Sequence, residues 1–319
     1  MPTGKTVLLA EPRSFCAGVR RAIEIVEMAL ERFGPPIYVR NQIVHNQHVV
    51  HELEQRDVRF VNSTEEVPPG AVCVLSAHGV SPAVREAAAA RDLRVIDATC
   101  PLVSKVHQQA IRAARDERTI LLVGHMEHEE VEGTYGEAPD RTIVVSTVDE
   151  VRRLDLPRDT PVTYVTQTTL SIDDTRAVVD AIAGRFTDII GPGTDDICYA
   201  SQNRQNGVKA LAGRSDVVLV VGSANSSNTV RMVEVAQQAG VRSYLVPDVA
   251  DLDESWLHGA TSVGVSAGAS APEFLVRQLL DRLTGFGFDR VEVEVTASEA
   301  DITFGPPSAV GGPEPKESS

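Results

Sequence analysis

Long apolar runs are missing from this chain of 319 residues. No stretch approaches the ~20 consecutive apolar residues that a membrane-spanning helix needs, so no span is expected. No leader is expected either. The segment Met1–Glu11 carries one lysine, and its apolar run Val7-Leu8-Leu9-Ala10 reads as a strand, not as a signal peptide. The expected location is therefore the cytoplasm. Positive charge is scarce: 30 Lys+Arg stand against 45 Asp+Glu, a net −15. Such a field repels phosphate backbones and anionic lipid, which argues against nonspecific nucleic-acid and membrane binding. An anionic substrate would need a local site that overcomes it. Cysteine is scarce too, with four in the chain, and in a long chain without a leader this suggests metal binding or catalysis, not a disulfide scaffold. No Walker A or G-x-G-x-x-G pattern occurs, so neither a nucleoside triphosphate nor a dinucleotide is indicated.

What is present is ordinary in amount, 42% apolar and 24% charged residues, and fits a folded globular protein. The cysteines give its organisation. Cys16, Cys100 and Cys198 each precede a helical pattern, clearest in Val19, Ile23, Val26 and Leu30 and in Val103, Val106 and Ala110. Cys100 and Cys198 each stand 24 residues ahead of a glycine, Gly124 and Gly222, that closes an apolar strand and opens a polar loop. The first stretch runs the same way to Tyr38-Val39-Arg40-Asn41, with His45 beyond. A second polar loop follows an apolar strand in each: Ser76-Ala77-His78-Gly79, Thr166-Gln167-Thr168-Thr169 and Ser266-Ala267-Gly268-Ala269-Ser270. Two of these run into Pro82 and Pro272, suited to a first helical turn.

The chain thus reads as three pseudo-equivalent α/β lobes. Strands alternating with helices imply parallel or mixed sheets, whose ligands sit at the carboxyl ends of the strands, where all six polar loops fall. The Pro/Gly/Ser-rich end, from about Thr303, reads as disordered.

Three cysteines at helix N-termini, where the dipole favours a thiolate, would form a soft-metal site if they converge. Cys73, inside Ala71-Val72-Cys73-Val74-Leu75, reads as a core residue. Three thiolates without a fourth suit a [4Fe–4S] cluster with one iron open to substrate; a histidine as fourth ligand would instead complete a zinc site. The loops add His45, His78, His125, His128, Thr168, Ser223, Ser226, Ser227, Asn228 and Ser270. Hydroxyls, amides, imidazoles and helix N-termini bind phosphate without much positive charge, and Gly222–Thr229 ahead of a helical run looks like an anion cradle. Within His125–Glu130, the densest titratable cluster, one glutamate is a candidate proton donor and the others read as solvated.

These segments together resemble the 4-hydroxy-3-methylbut-2-enyl diphosphate reductase family (IspH, or LytB). The similarity rests on Pro12–Val19, Val44-His45-Asn46, Ser76–Ser81, Asp97–Val103, Glu130–Thr134, Thr166–Ser171, Asp195–Ala200, Gly222–Asn228 and Ala267–Pro272, in order from residue 7 to about 284. It implies a three-lobed α/β fold around a central iron–sulfur cluster: residues 18–99, 100–196, and 1–17 with 197–285, followed by a partly disordered tail, 286–319. It implies Cys16, Cys100 and Cys198 as cluster ligands. His45, His78, Ser226, Ser227, Asn228 and Ser270 match residues on the substrate diphosphate. His128, Glu130 and Thr168 match those near the substrate hydroxyl, Glu130 as proton donor. The implied reaction is reductive removal of that hydroxyl, giving isopentenyl and dimethylallyl diphosphate as the last step of the methylerythritol phosphate route, with electrons from a ferredoxin- or flavodoxin-type donor. Two positions depart from the family habit: Ser14 stands where glycine is common, and Glu129 where proline is. Glu127 and Glu129 are expected to be near-neutral bystanders. Acidic donors would need a local basic patch, for which Arg13, Arg20, Arg21, Lys105 and Arg204 are candidates. The rivals are a mononuclear zinc or iron phosphohydrolase using His45, His78, His125 or His128, and an iron–sulfur DNA sensor, against which the acidic charge weighs.

Overall fold

The computed structural model describes residues 4–193 and 196–311. It opens with strand β1 (Lys5–Glu11). A first group follows: α1 (Ala17–Phe33), β2 (Ile37–Arg40), α2 (Gln47–Glu54), β3 (Val58–Val61), β4 (Val72–Leu75), α3 (Pro82–Ala90) and β5 (Arg94–Asp97). The second comprises α4 (Pro101–Arg115), β6 (Thr119–Val123), α5 (Glu129–Gly136), β7 (Thr142–Val145), α6 (Val148–Arg153), β8 (Val162–Thr166), α7 (Ile172–Arg185) and β9 (Ile189–Ile190). The third comprises α8 (Tyr199–Ala212), β10 (Val217–Val221), α9 (Ser227–Gln238), β11 (Arg242–Val246), β12 (Ser262–Ala267), α10 (Glu273–Gly285) and β13 (Phe288–Val295), and a short α11 (Ser308–Gly311) closes the described chain. The rest of the end, 312–319, like Asp195 between β9 and Cys198, lies outside the described residues.

The three sheets are all parallel and share one strand order: β3-β2-β4-β5, β7-β6-β8-β9 and β11-β10-β12-β1, the last extended by β13. The fourth place in the third sheet is filled by the first strand of the chain. Each fourth strand leads to a cysteine and then a helix: β5 to Cys100, β9 to Cys198, β1 to Cys16. The topology is therefore a closed ring of three equivalents. In each sheet the order reverses between the first and third strands, the crevice where open parallel sheets bind ligands. The loops bearing His45, His78, Thr168, Ser226 and Ser270 leave the sheets at those strand ends.

The inner strands are short and almost wholly apolar because helices cover both faces. Val217–Val221 is buried throughout, as is Val72–Leu75. Helix α4 turns Val103, Val106, Ala110 and Ala113 inward, each larger side chain contributing roughly 1.5–3 kcal/mol by leaving water. Cys73 is fully buried beside Tyr38, Leu75 and Val80, and burial pushes its thiol up to about 11.

Two expectations need correction. The third sheet does not stop at residue 285: β13 runs parallel to β1 along its whole length, Lys5 opposite Phe288 to Glu11 opposite Val295. Its alternation is inverted relative to a core strand. Val291, Val293 and Val295 face out, while Glu292 and Glu294 turn to Arg214. Pro272 is the N-cap of α10, one residue before its first turn, whereas Pro82 does open α3. Among the described residues no helix is long and apolar enough to cross a membrane.

Candidate functional site

Cys16, Cys100 and Cys198 are the N-cap residues of α1, α4 and α8. The three sulfurs line one cavity. Cys16 Sγ accepts from Val19 N at 3.4 Å, and Cys198 Sγ accepts from Ser201 N at 3.5 Å. Gly18 allows the first turn of α1 to close on this group. A Cβ there would stand 2.8 Å from Cys100 Sγ, well inside contact distance. Burial opposes the helix N-termini at two of them, pushing Cys100 up to about 12 and Cys198 to about 11. Desolvation outweighs the first-turn N–H groups, so these are neutral thiols until a metal draws off their protons.

The same cavity gathers the polar loops. His45 and His78 stack at 4.0 Å between ring centroids, and His128 stands edge-on to both at 6.0 and 6.1 Å. Burial, then the neighbouring His78, lowers His45 to about 3 and His128 to about 4. His128 caps α5, its Nδ1 accepting from Glu130 N at 3.2 Å. That bond uses the lone pair a metal would need and leaves the proton on Nε2.

Across the crevice Ser226 caps α9. Ser270 donates to His45 O at 3.0 Å and lies 3.4 Å from Ser226 Oγ. Asn228 Oδ1 accepts from Ala269 N at 2.9 Å. Among the described residues, Asn228 Nδ2 and His45 Nδ1 are buried without a hydrogen-bond partner. Buried polar atoms rarely stay unsatisfied, and a donor left so beside a helix N-terminus points to an anion as its partner. Gly268 is required in this cradle because a Cβ would collide with the Thr229 hydroxyl.

Glu130 sits at the inner wall, 2% exposed. Thr168 N donates to Oε1 at 2.6 Å, and Thr168 Oγ1 to Oε2 at 2.9 Å. Burial raises its pKa, with the Thr168 bonds opposing in part. The upward shift favours the protonated carboxyl, the form that can donate a proton. Behind it, Gly79 turns at φ +79° so that His107 can pack 3.1 Å from where a Cβ would be. His107 Nδ1 pairs with Glu137 at 2.9 Å and braces α5 from the far side.

The other glutamates divide differently from expectation. Glu127 is exposed. Glu129 is no bystander: its carboxylate lies 3.2 Å from His78 Nδ1. Burial works against its ionisation, yet the bond and charge of His78 carry the net shift down to about 2. His45, His78 and Glu129 bring ligand atoms within 4.8 Å of one another. His125 is separate. It lines a second cavity of about 440 Å³ with Ser146, Arg231 and Glu234. The wall between the cavities is Thr169–Ser227, hydroxyls 3.1 Å apart, with Gln167 Nε2 donating to Thr169 at 2.8 Å. Gln167 and Thr169 were not singled out from the sequence, although they flank Thr168. The proposed basic patch does not exist as such. Arg21 and Arg204 are buried, Lys105 pairs with Asp196, Arg13 pairs with Glu273, and only Arg20 is exposed.

Known proteins resemble this chain over nearly its whole length. Residues 7–284 match the model of the family described as LytB protein. The 4-hydroxy-3-methylbut-2-enyl diphosphate reductase 2 of Bradyrhizobium diazoefficiens is 55% identical over 93% of this chain and 96% of its own. The corresponding reductase of Nocardia farcinica is 56% identical over 93% of this chain and 89% of its own. The solved E-1-hydroxy-2-methyl-but-2-enyl-4-diphosphate reductase of Plasmodium falciparum superposes with a TM-score of 0.93 at 39% identity, covering 96% of each chain. Sharing sequence and fold with these proteins over nearly its whole length, the chain belongs to the LytB family.

Proposed function

We propose that this chain catalyses the reductive dehydroxylation of 4-hydroxy-3-methylbut-2-enyl diphosphate to isopentenyl and dimethylallyl diphosphate, the last step of the methylerythritol phosphate route. The observation that carries it is one cavity holding three cysteine sulfurs, a Thr168-bound buried glutamic acid and a cradle with orphan donors. Cys16, Cys100 and Cys198 would hold a [4Fe–4S] cluster with one iron open to substrate. The donor set fits: three soft sulfurs, no fourth cysteine within reach because Cys73 is locked in a sheet, and His128 Nδ1 already engaged. When bound, such a cluster supplies two electrons one at a time and Lewis acidity toward oxygen.

The protein's own groups do the rest. The N-terminus of α9, with Ser226, Ser227, Asn228 and Ser270, holds the diphosphate, and His45 and His78 donate from the facing lobe. Anchoring that end positions the allylic hydroxyl beside Glu130 and Thr168. Glu130 delivers the proton that lets the hydroxyl leave as water, Thr168 Oγ1 orients it, and His128 holds the first turn of α5 in place. The balance is alcohol plus two electrons and two protons giving alkene and water. The electrons come from a ferredoxin- or flavodoxin-type protein, and the reaction runs in the cytoplasm.

The test is anaerobic incubation with substrate and reduced viologen, products read by NMR. The two five-carbon alkenyl diphosphates are expected with their diphosphate intact. Release of inorganic phosphate, the outcome of a metal-dependent hydrolase, would overturn the reading.

A further inference from the structure

Three of the five cations first expected on a docking face have another disposition. Each lies in the second turn of a cysteine-capped helix: Arg21 on α1, Lys105 on α4, Arg204 on α8. Each reaches the segment just ahead of the next cysteine. Arg21 Nη1 donates to Ala98 O and Thr99 O, both at 3.1 Å, the two carbonyls before Cys100. Lys105 Nζ stands 3.3 Å from Asp196 Oδ1, two residues before Cys198. Arg204 donates from Nε and Nη2 to Ser14 O at 3.2 and 2.7 Å, two residues before Cys16. The first helix thus holds the second loop, the second the third, and the third the first.

The end of the chain closes over two of these links. Glu299 pairs with the fully buried Arg204 at 3.0 Å and accepts from Asn203 at 3.0 Å. Gly305 O accepts from Arg21 Nε at 2.7 Å. Val310 is buried in the core beneath α1. The segment from 296 to 311 therefore spans from the third sheet to the first lobe across the backs of two cysteine loops.

We infer that Arg21, Lys105 and Arg204 form a ring of positioning residues that sets the spacing of the three sulfurs, and that residues 296–311 strap it shut. The ring rests on the cysteine-ligand reading above. Its physics is that of any outer shell around a metal: ligands held at the right separation bind without first being ordered. Arg21, bonded to carbonyl oxygens, also sets a positive charge near the thiolates, whereas Lys105 and Arg204 are paired with Asp196 and Glu299 and act through position. A buried cation stripped of its partner is costly, so Glu299 protects the Arg204 link.

The experiment compares Lys105→Met, Glu299→Gln and Arg204→Lys with wild type and with Arg118→Met, a buried arginine bonded to Val162 O and Asp188 at the starts of β8 and β9 and to none of the residues just ahead of a cysteine. Full-length protein is reconstituted anaerobically with iron and sulfide, and iron transfer to a strong ferrous chelator is timed. Each ring variant should release iron about 10–100-fold faster than wild type, with the melting temperature of its apo form no lower than that of Arg118→Met. Lys105→Arg should restore slow release. If Arg204→Lys does not fold, the other two decide. Release at the wild-type rate, or acceleration shared by Arg118→Met, overturns the ring. In a second arm the apo chains meet arsenite, which condenses with three thiols and releases three waters. Wild type should form the triply bound adduct, and the ring variants should form it more slowly. Equal rates overturn the ring. Failure of wild type to take up iron and sulfide would instead overturn the cofactor reading, and the arsenite arm would still judge the ring.

Discussion

Glu130 and Glu129 are adjacent carboxyls that the fold separates into opposite states. Glu130 is fully enclosed, and burial raises its pKa; Glu129 meets His78 and is drawn down to about 2. Glu130→Gln keeps the shape and the bond from Thr168 N but has no acidic proton. Turnover should fall ~10²–10⁴-fold at unchanged iron content, measured by steady-state dye oxidation. The same change should stabilise the apo chain. A carboxyl with a raised folded pKa binds more protons folded than unfolded, so its contribution declines as pH rises above the ordinary carboxylate range. The excess melting temperature of Glu130→Gln over wild type should therefore grow from about pH 4.5 upward. For Glu129 the expectation concerns substrate binding. Replacing it with Gln exchanges a charge-assisted bond to His78 for a neutral one, a loss of about 1 kcal/mol. KM should rise about fivefold with kcat little changed. The sequence pointed to Glu130 through the register of Glu130-Val131-Glu132-Gly133-Thr134. It could not show that the residue at 129, on the first turn of α5, would turn toward a histidine from another lobe.

At the level of elements, the recurring unit is a strand, a cysteine N-cap and a helix. Its periodicity was readable because the apolar stripes of α1 and α4 are regular. The burial of the cations was readable too, had the stripe been followed strictly. Arg21 lies four residues after Ala17 and four before Ile25, and Arg204 four after Ala200 and four before Val208, all on the buried faces. What hid it is that a long cation on an apolar stripe is normally a snorkelling surface residue. Strand β13 was missed for a related reason: its valines alternate, but toward solvent, so no core pattern marks it. Exchange of any of the three N-cap cysteines for serine should abolish most iron and sulfide binding, since a hard hydroxyl replaces a soft thiolate. Cys73→Ser should keep the iron and cost only the ~1–3 kcal/mol of a buried hydroxyl, read by metal analysis beside a thermal melt.

The whole molecule is an acidic protein that binds an anion. It resolves this conflict locally, with helix N-termini, hydroxyls and imidazoles facing a shared crevice, while most cations are spent on internal ties. Long-range charge therefore offers little help to an acidic electron donor. Of the five cations considered for docking, Arg20, one helical turn from Cys16, is the exposed one. Arg20→Glu should slow turnover with a ferredoxin- or flavodoxin-type donor severalfold and leave viologen-driven turnover unchanged. Equal loss with both donors would point to damage of the fold. The threefold organisation was legible because the same loop chemistry recurs at matched spacing. The closure of the ring through β1 was expected only from family resemblance, because parallel pairing between residues 5–11 and 262–267 leaves no local trace in the chain.

The central claim is that Cys16, Cys100 and Cys198 would hold an iron–sulfur group able to supply two electrons while Glu130 supplies the proton that lets the allylic hydroxyl leave as water. Its most direct test is stoichiometry: anaerobic protein with matched iron and sulfide is given substrate and reduced viologen, and dye oxidised is compared with alkene formed. The account predicts two viologen radicals consumed per alkenyl diphosphate, with Glu130→Gln keeping the ratio but losing the rate. Substrate consumed without dye oxidation, or dye oxidised by protein free of iron and sulfide, would contradict it.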